Sequence, residues 1–72
     1  MNLKNAELGK EYTVAAVAVE DTELVSFLFS LGCYSGQPIV VVSRRRSGCV
    51  VAIKDGRYAM DNSLAEAIAL EA

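Results

Sequence analysis

Three short runs with β-type composition follow one another in the second half of the chain, and this succession limits the fold more than any other feature. They cover residues 39–42, 49–53 and 58–60. The first is a β-branched run without alternation, which predicts a strand covered on both faces. The second and third flank Asp55-Gly56, a pair that predicts a hairpin with a type I′ turn and positive φ at both centres. Strands joined by such tight turns pair as antiparallel neighbours.

The first half of the chain predicts one more strand and one helix. Residues 12–19 carry apolar groups on both faces, which predicts a strand buried on both sides. Asp21 is placed as an N-cap and Gly32 as the residue after the last turn, and they bracket a helix of about ten residues. Its apolar stripe is expected to face the core and consists of Leu24, Phe27, Leu28 and Leu31. Val25 and Phe29 lie to one side of that stripe.

The C-terminal residues predict a short helix and a last strand. Ser63 and Glu66 have the spacing of a capping box, so a helical turn is expected to begin there. Leu64, Ala67 and Ile68 are expected to face the core, and Leu70 to lie in a terminal strand. Four or five short strands with one inserted helix favour a small, partly closed β-barrel, because closure removes exposed strand edges. A chain of 72 residues has room for one domain, which we assign to residues 1–72.

Charge and composition argue against several classes of function. Seven Lys and Arg stand against nine Asp and Glu, with a pI near 4.9, so nucleic acid is a disfavoured partner. The N-terminus has no apolar signal-peptide segment, and we expect a cytoplasmic protein whose two cysteines stay reduced.

Catalytic and metal sites are not predicted. The chain has no histidine to act as a general base. Asp21 is explained as a helix cap, Asp55 as a turn residue, and Asp61 as a residue at a strand end or a helix entry. Cys33 and Cys49 are isolated from each other in sequence and are expected to pack as small apolar side chains rather than bind metal. We therefore expect no enzyme activity, no cofactor and no metal site.

Two features remain as candidates for partner binding, and each has an ordinary alternative. Arg44, Arg45 and Arg46 form the only concentrated charge. They either stay solvated at a hairpin tip or dock on an acidic partner or headgroup. Val25 and Phe29, together with Tyr34, are either buried by the barrel or form an exposed apolar patch that a partner or a second copy covers.

Several motifs extend over nearly the whole chain and together resemble one family. They are Leu8-x-x-Glu11 with Gly9, Val14-x-x-Val17, Leu28-x-x-Leu31-Gly32, Gly36-x-x-Ile39-x-Val41 and Ala52-Ile53-x4-Tyr58-Ala59-Met60. In order and spacing they resemble the ferrous iron transport protein A (FeoA) family. The resemblance implies a mainly β, SH3-like barrel of about five strands with one inserted helix and a short C-terminal helix.

The resemblance also implies a function. Members of the family support ferrous iron uptake by the membrane GTPase-transporter FeoB. We therefore expect a cytosolic adaptor that binds the cytoplasmic region of FeoB, modulates transport or nucleotide turnover, and meets the membrane only through this partner. The chain departs from the family at Cys33-Tyr34-Ser35-Gly36, where relatives often have Leu-x-Pro-Gly. It also has Val25 and Phe27 where relatives often have arginines. The alternative function is that of a small nucleic-acid-binding barrel, which needs stacking aromatic residues beside the arginine run.

Overall fold

Five short strands form one antiparallel sheet in the computed structural model, which describes residues 1–71. The strands are β1 (Glu11–Val17), β2 (Pro38–Arg45), β3 (Gly48–Ile53), β4 (Gly56–Asp61) and β5 (Ile68–Leu70). Helix α1 (Thr22–Leu31) joins β1 to β2, and the short helix α2 (Asn62–Ala67) joins β4 to β5. A 3-10 turn at Leu3–Asn5 precedes β1. The strand order is β4-β3-β2-β1-β5, so the predicted mainly β architecture is confirmed. The predicted domain end at Ala72 lies outside the described residues.

Two irregularities in the ladders curl this sheet. The register between β1 and β5 shifts between Val14 and Ala16, and that between β2 and β3 shifts between Val41 and Ser43. An extra residue in one strand of a pair bends that strand and increases its twist. As a result, the first half of β1 pairs with β2 and its second half pairs with β5. One strand therefore joins β5 to the rest of the sheet.

The strands bury one face, which corrects the expectation that β1 and β2 are covered on both sides. In β1, Tyr12 and Val14 are buried, whereas Ala16 is exposed. In β2, Ile39 and Val41 are buried and their neighbours are only half-buried. A curled single sheet encloses one core, and here no second layer covers most of its outer face. The apolar residues on that face are small or β-branched. A strand that is covered on both faces has the same composition, so a single sequence does not distinguish the two cases.

The hairpin between β3 and β4 is confirmed, but its predicted turn is wrong by one residue. Ile53 pairs with Gly56, so the turn is centred on Lys54 and Asp55, and only Lys54 has positive φ, at 53°. Gly56 begins β4 instead. A Cβ atom at Gly56 would meet the ring of Tyr58, so the glycine leaves room for this ring and does not supply positive φ.

The C-terminal helix begins earlier than the predicted capping box. The Asp61 side chain accepts a hydrogen bond from the Leu64 amide at 2.8 Å, so Asp61, not Ser63, is the N-cap. The helix ends at Ala67, and Ile68, which was expected on the helix, lies fully buried in β5. The predicted terminal strand containing Leu70 is confirmed.

Gly48 offers a test of how tightly β3 and β4 pack. It is buried, and a Cβ atom at this position would overlap the carbonyl oxygen of Met60. We expect Gly48→Ala to destabilise the protein by about 1 to 3 kcal/mol, because a strand backbone has to move. This cost lowers Tm by roughly 4 to 8 °C per kcal/mol in a domain of this size. The control is Ser47→Ala in the exposed turn beside it. Equal melting temperatures for the two variants in thermal denaturation would contradict the packing argument.

Candidate interaction surface

Helix α1 has the boundaries that its sequence predicts. The Asp21 side chain accepts hydrogen bonds from the amides of Glu23 at 2.9 Å and Leu24 at 3.3 Å. At the other end, Gly32 takes a left-handed conformation with φ 97°, and its amide bonds back to the carbonyl of Phe29. The N-cap satisfies free amides of the first turn, and a left-handed glycine lets the chain turn away after the last one. Both ends of the helix are therefore determined by local sequence.

The helix buries much less of its surface than its apolar stripe predicts. Leu28 alone is buried, at 2% exposure, while Leu24 and Leu31 are half-buried. Phe27, expected in the core, is 57% exposed. Adjacent helical residues are turned by about 100° around the axis, so a narrow contact centred on Leu28 does not reach Phe27. The sheet covers a strip of this helix, not half of it.

Phe29 and Tyr34 form a stacked aromatic pair on the surface. Their ring centroids are 4.4 Å apart with 27° between the planes, and Phe29 is 61% exposed. Val25 lies one helical turn before Phe29 and is 38% exposed. The alternative in which the barrel buries this flank is therefore wrong. We call Val25, Phe29 and Tyr34 the helix patch. Phe27 lies on the opposite flank of α1, about 200° around the axis from Phe29.

Sequence reasoning missed Phe27 as a surface residue. A signal was present, since the apolar residues of α1 span about 200° around its axis, from Phe27 through Leu28 to Phe29. A small barrel covers about one side of a helix, so some of these side chains had to remain outside. Periodicity alone did not show which ones.

An open apolar groove lies beside the first turn of α1. It has a volume of about 440 Å³ and runs between the end of β1, the start of α1 and α2. Leu24 and Leu64 line it together with Val19, and Asp61 contributes the only charge among its lining residues. None of the helix-patch residues lines this groove, so the two are separate features.

The arginine run does not act as one unit. The Arg44 guanidinium donates hydrogen bonds to the backbone carbonyls of Leu3 at 3.2 Å, Lys4 at 2.5 Å and Ala6 at 2.7 Å. It thereby ties the N-terminal turn to β2, a role that neither sequence-based alternative included. Arg45 and Arg46 are exposed, and their docking on an acidic partner stays a prediction.

The two sets of predicted binding residues lie at opposite ends of β3. Lys54, in the turn after β3, places its ammonium 6.0 Å from the ring centroid of Tyr34 in the helix patch. Arg46 lies in the turn before β3. Six strand residues at about 3.3 Å each separate these turns by about 17 to 20 Å. The helix patch and the exposed arginines therefore do not form one continuous surface.

The cysteines and acidic residues are placed for structure. Cys33 and Cys49 are buried, at 2% and 3% exposure. Burial raises the pKa of both thiols, and for Cys49 the Arg44 charge opposes that rise. Neutral buried thiols are poor nucleophiles and poor metal ligands. Among residues 1–71, no three His, Cys, Asp or Glu side chains are grouped so that they could hold a metal ion.

Neither helix in the described part of the chain is long and apolar enough to cross a bilayer.

A curled five-stranded sheet with a helix inserted after its first strand defines a small SH3-like domain, here with an exposed apolar helix face. The family model described as FeoA domain matches residues 1–72. The chain therefore belongs to the FeoA domain family. A search of the curated proteins gave no significant match.

Solved structures share this fold at low sequence identity. Iron(II) transport protein A from Clostridium thermocellum has a TM-score of 0.86 and 22% identity, over 99% of this chain and 44% of that one. This chain thus spans less than half of that relative. FeoA from Stenotrophomonas maltophilia, solved with zinc and described as an SH3 domain protein and candidate ferrous iron transport activating factor, has a TM-score of 0.84. It shares 20% identity, over 99% of this chain and 89% of that one. A manganese-dependent transcriptional repressor has a TM-score of 0.84 and 24% identity, over 97% of this chain and 39% of that one.

Arg44 and its neighbours can be separated by single substitutions. We expect Arg44→Ser to destabilise the protein by about 1 to 2 kcal/mol, because it removes charge-assisted bonds to three carbonyls. The matched controls Arg45→Ser and Arg46→Ser should stay within about 0.5 kcal/mol of the parent. Urea denaturation measures all three. A similar loss for each variant would show that Arg44 has no special structural role.

Leu28 and Phe29 are adjacent and give a second matched comparison. Leu28→Ala should cost about 2 to 5 kcal/mol, because Leu28 is the buried residue of α1. Phe29→Ala should cost about 0.5 to 1.5 kcal/mol, the contribution of an aromatic pair, since Phe29 is mostly exposed. Denaturant unfolding with circular dichroism checks both values. A larger loss for Phe29→Ala than for Leu28→Ala would contradict the described exposure.

Proposed function

We propose that this chain is a non-enzymatic accessory protein of ferrous iron uptake. In this proposal its helix patch binds the cytoplasmic region of a FeoB-type membrane transporter and modulates transport or nucleotide turnover. Membership of the FeoA domain family supports the link to iron transport. The Stenotrophomonas maltophilia relative, described as a candidate activating factor of ferrous iron transport, supports an accessory role.

The exposed Phe29–Tyr34 pair on one flank of α1 is the observation that carries the docking part of this proposal. Phe29 is 61% exposed, and Val25, one helical turn before it, is 38% exposed. Aromatic side chains are enriched among the residues that dominate binding energy at protein interfaces. Tyr34 holds Phe29 in a stack, so part of the ordering cost of binding is met before the partner arrives.

The chemistry of the patch favours an apolar protein surface as its partner. Val25 and Phe29 carry no charge, and the Lys54 ammonium lies 6.0 Å from the centroid of the Tyr34 ring. A contact of this kind depends on apolar burial and changes little with salt concentration. The arginines at the opposite end of β3 are too far away to contribute to the same small contact.

The arrangement of polar groups supports a role without catalysis. Asp21 and Asp61 are occupied as helix caps, and Asp55 lies in the β3–β4 turn. The two thiols are buried and held neutral by their raised pKa values. Within residues 1–71, no hydrogen bond joins two of these side chains as nucleophile and base, the arrangement that covalent catalysis requires.

A binding measurement with the soluble cytoplasmic region of the transporter tests the docking proposal. We expect Phe29→Ser to weaken binding by about 10-fold or more, the loss typical of an interface hot spot, whereas Phe27→Ser on the opposite flank of α1 should bind with an affinity close to that of the parent. The matched control is Leu8→Ser, an apolar residue of similar exposure, 58%, outside α1. It should bind like the parent protein. Equal affinities for all three variants would contradict docking through the helix patch.

Two further readouts separate the proposal from its alternatives. Adding the protein to the transporter's nucleotide-binding region should change the rate of GTP hydrolysis, and the same rate with and without bound protein would contradict modulation of turnover. Binding of single-stranded nucleic acid that weakens steeply with salt would favour the nucleic-acid alternative. The parent protein should instead bind the transporter with little salt dependence.

A further inference from the structure

The two edges of the sheet are not equally protected. β5 pairs with β1 on one side, and on its other side the first residues of the chain reach it. Asn2 forms an antiparallel bridge with Ala69, and the Leu70 amide donates to the Met1 carbonyl at 2.9 Å. β4 pairs only with β3. No segment within residues 1–71 pairs with its outer side.

The β3–β4 ladder shows which backbone groups of β4 face outward. Its register is unbroken from Ile53↔Gly56 to Gly48↔Asp61, and the next amide along, Asn62, donates to the Ser47 carbonyl at 3.2 Å. Donors and acceptors alternate along an antiparallel strand. Gly56, Tyr58 and Met60 therefore direct their backbone groups toward β3, and three residues direct theirs away: Arg57, Ala59 and Asp61.

These outward groups form a short edge that can still accept a strand. Asp61 is the N-cap residue of α2, so its carbonyl accepts the first hydrogen bond of that helix. This leaves the amides of all three residues and the carbonyls of Arg57 and Ala59, none of which has a partner in the described chain. β4 contains no proline and no bulge, which are common devices that protect a strand edge, and its two charged residues have opposite signs.

We propose that β4 pairs with β4 of a second copy of this chain, antiparallel and with the two-fold axis at Ala59. In this register Ala59 lies opposite itself, and the two Ala59 residues exchange amide-to-carbonyl hydrogen bonds. The Asp61 amide donates to the Arg57 carbonyl of the second copy, and the symmetric bond forms as well. A register shifted by two residues leaves either Arg57 or Asp61 without a partner residue in the other strand.

The side chains of β4 are complementary to themselves in this register. Arg57 lies opposite Asp61 of the second copy at both ends of the pairing, and opposite charges on facing strands are stabilising. Both residues are exposed, and neither forms a salt bridge within the described residues. Ala59 is small and exposed, so nothing bulky meets at the axis. On the other face of the strand, Tyr58 lies opposite Met60 of the second copy.

Asp61 can cap α2 and pair with Arg57 of the second copy at the same time. One carboxylate oxygen, Oδ1, accepts the hydrogen bond from the Leu64 amide that caps α2. A carboxylate has two oxygens that accept hydrogen bonds, so the other remains for the guanidinium of Arg57. The pairing uses no residue of the helix patch, and it does not depend on the function proposed above.

Sedimentation velocity over a wide range of protein concentration tests the pairing with the full chain. The parent protein should shift with concentration from the mass of one chain, 7.7 kDa, toward twice that mass. Arg57→Asp should remain a monomer, because two carboxylates then face each other at both ends of the pairing. The matched control Arg46→Asp makes the same charge change outside the strand and should associate like the parent.

Ala59→Pro tests the backbone bonds without changing charge. The amide of Ala59 does not bond to β3. Because proline is tolerated on an edge strand where the amide faces solvent, the variant should keep the fold. Circular dichroism verifies this, and the variant should remain a monomer. Asp61→Arg mixed with Arg57→Asp restores opposite charges at both ends, so the mixture should form a heterodimer while neither variant self-associates.

Several results would overturn the proposal. One is a parent protein that stays monomeric at every concentration. Another is a dimer that persists in both Ala59→Pro and Arg57→Asp. A third is a dimer that is lost in Phe29→Ser but retained in Arg57→Asp, since this would place the interface on the helix patch.

Discussion

The rest of this structure depends on the shared pairing of β1. One strand of seven residues pairs with β2 along its first half and with β5 along its second half. The bulge in β1 permits that bend, and the bend encloses a single core. Val14 lies in the bent region with no exposed surface, and Val41 and Ile68 from the two neighbouring strands are equally buried. Apolar residues outside this core are either covered by other segments of the chain or left exposed to solvent.

The N-terminal segment shows one way of covering the barrel. Leu3 is fully buried beneath the 3-10 turn, but a turn of three residues has little stability of its own. Arg44 reaches from β2 to the carbonyls at the end of this turn. A planar guanidinium with five donors can bond several carbonyls at once, which a lysine ammonium cannot match in geometry. Held in this way, the first residues also protect the edge of β5.

Local signals in the sequence predicted the elements well, and long-range contacts explain where prediction failed. The bounds of α1 follow from Asp21 and Gly32, whose effects extend over one helical turn. The helix patch could be grouped from the sequence, because its residues share one helix and the turn after it. The face of α1 that packs depends on how much helix the barrel can cover, so Phe27 was misplaced. Nothing local in three adjacent arginines shows that Arg44 binds carbonyls about forty residues away in sequence. The distance between the exposed arginines and the helix patch is determined by the length of β3 and by the order of the strands. Both are properties of the assembled sheet.

The two exposed features of this fold differ in the physics by which they would bind. Apolar burial on the helix patch is non-directional, so it tolerates small changes in the angle at which a partner approaches. The outward hydrogen bonds of β4 are directional, and together with Arg57 and Asp61 they select one register. Pairing through β4 would therefore hold two helix patches at a fixed separation. Such a pair gains avidity only for a partner whose own binding sites have a matching spacing, because multivalent binding is lost when geometry prevents simultaneous contact.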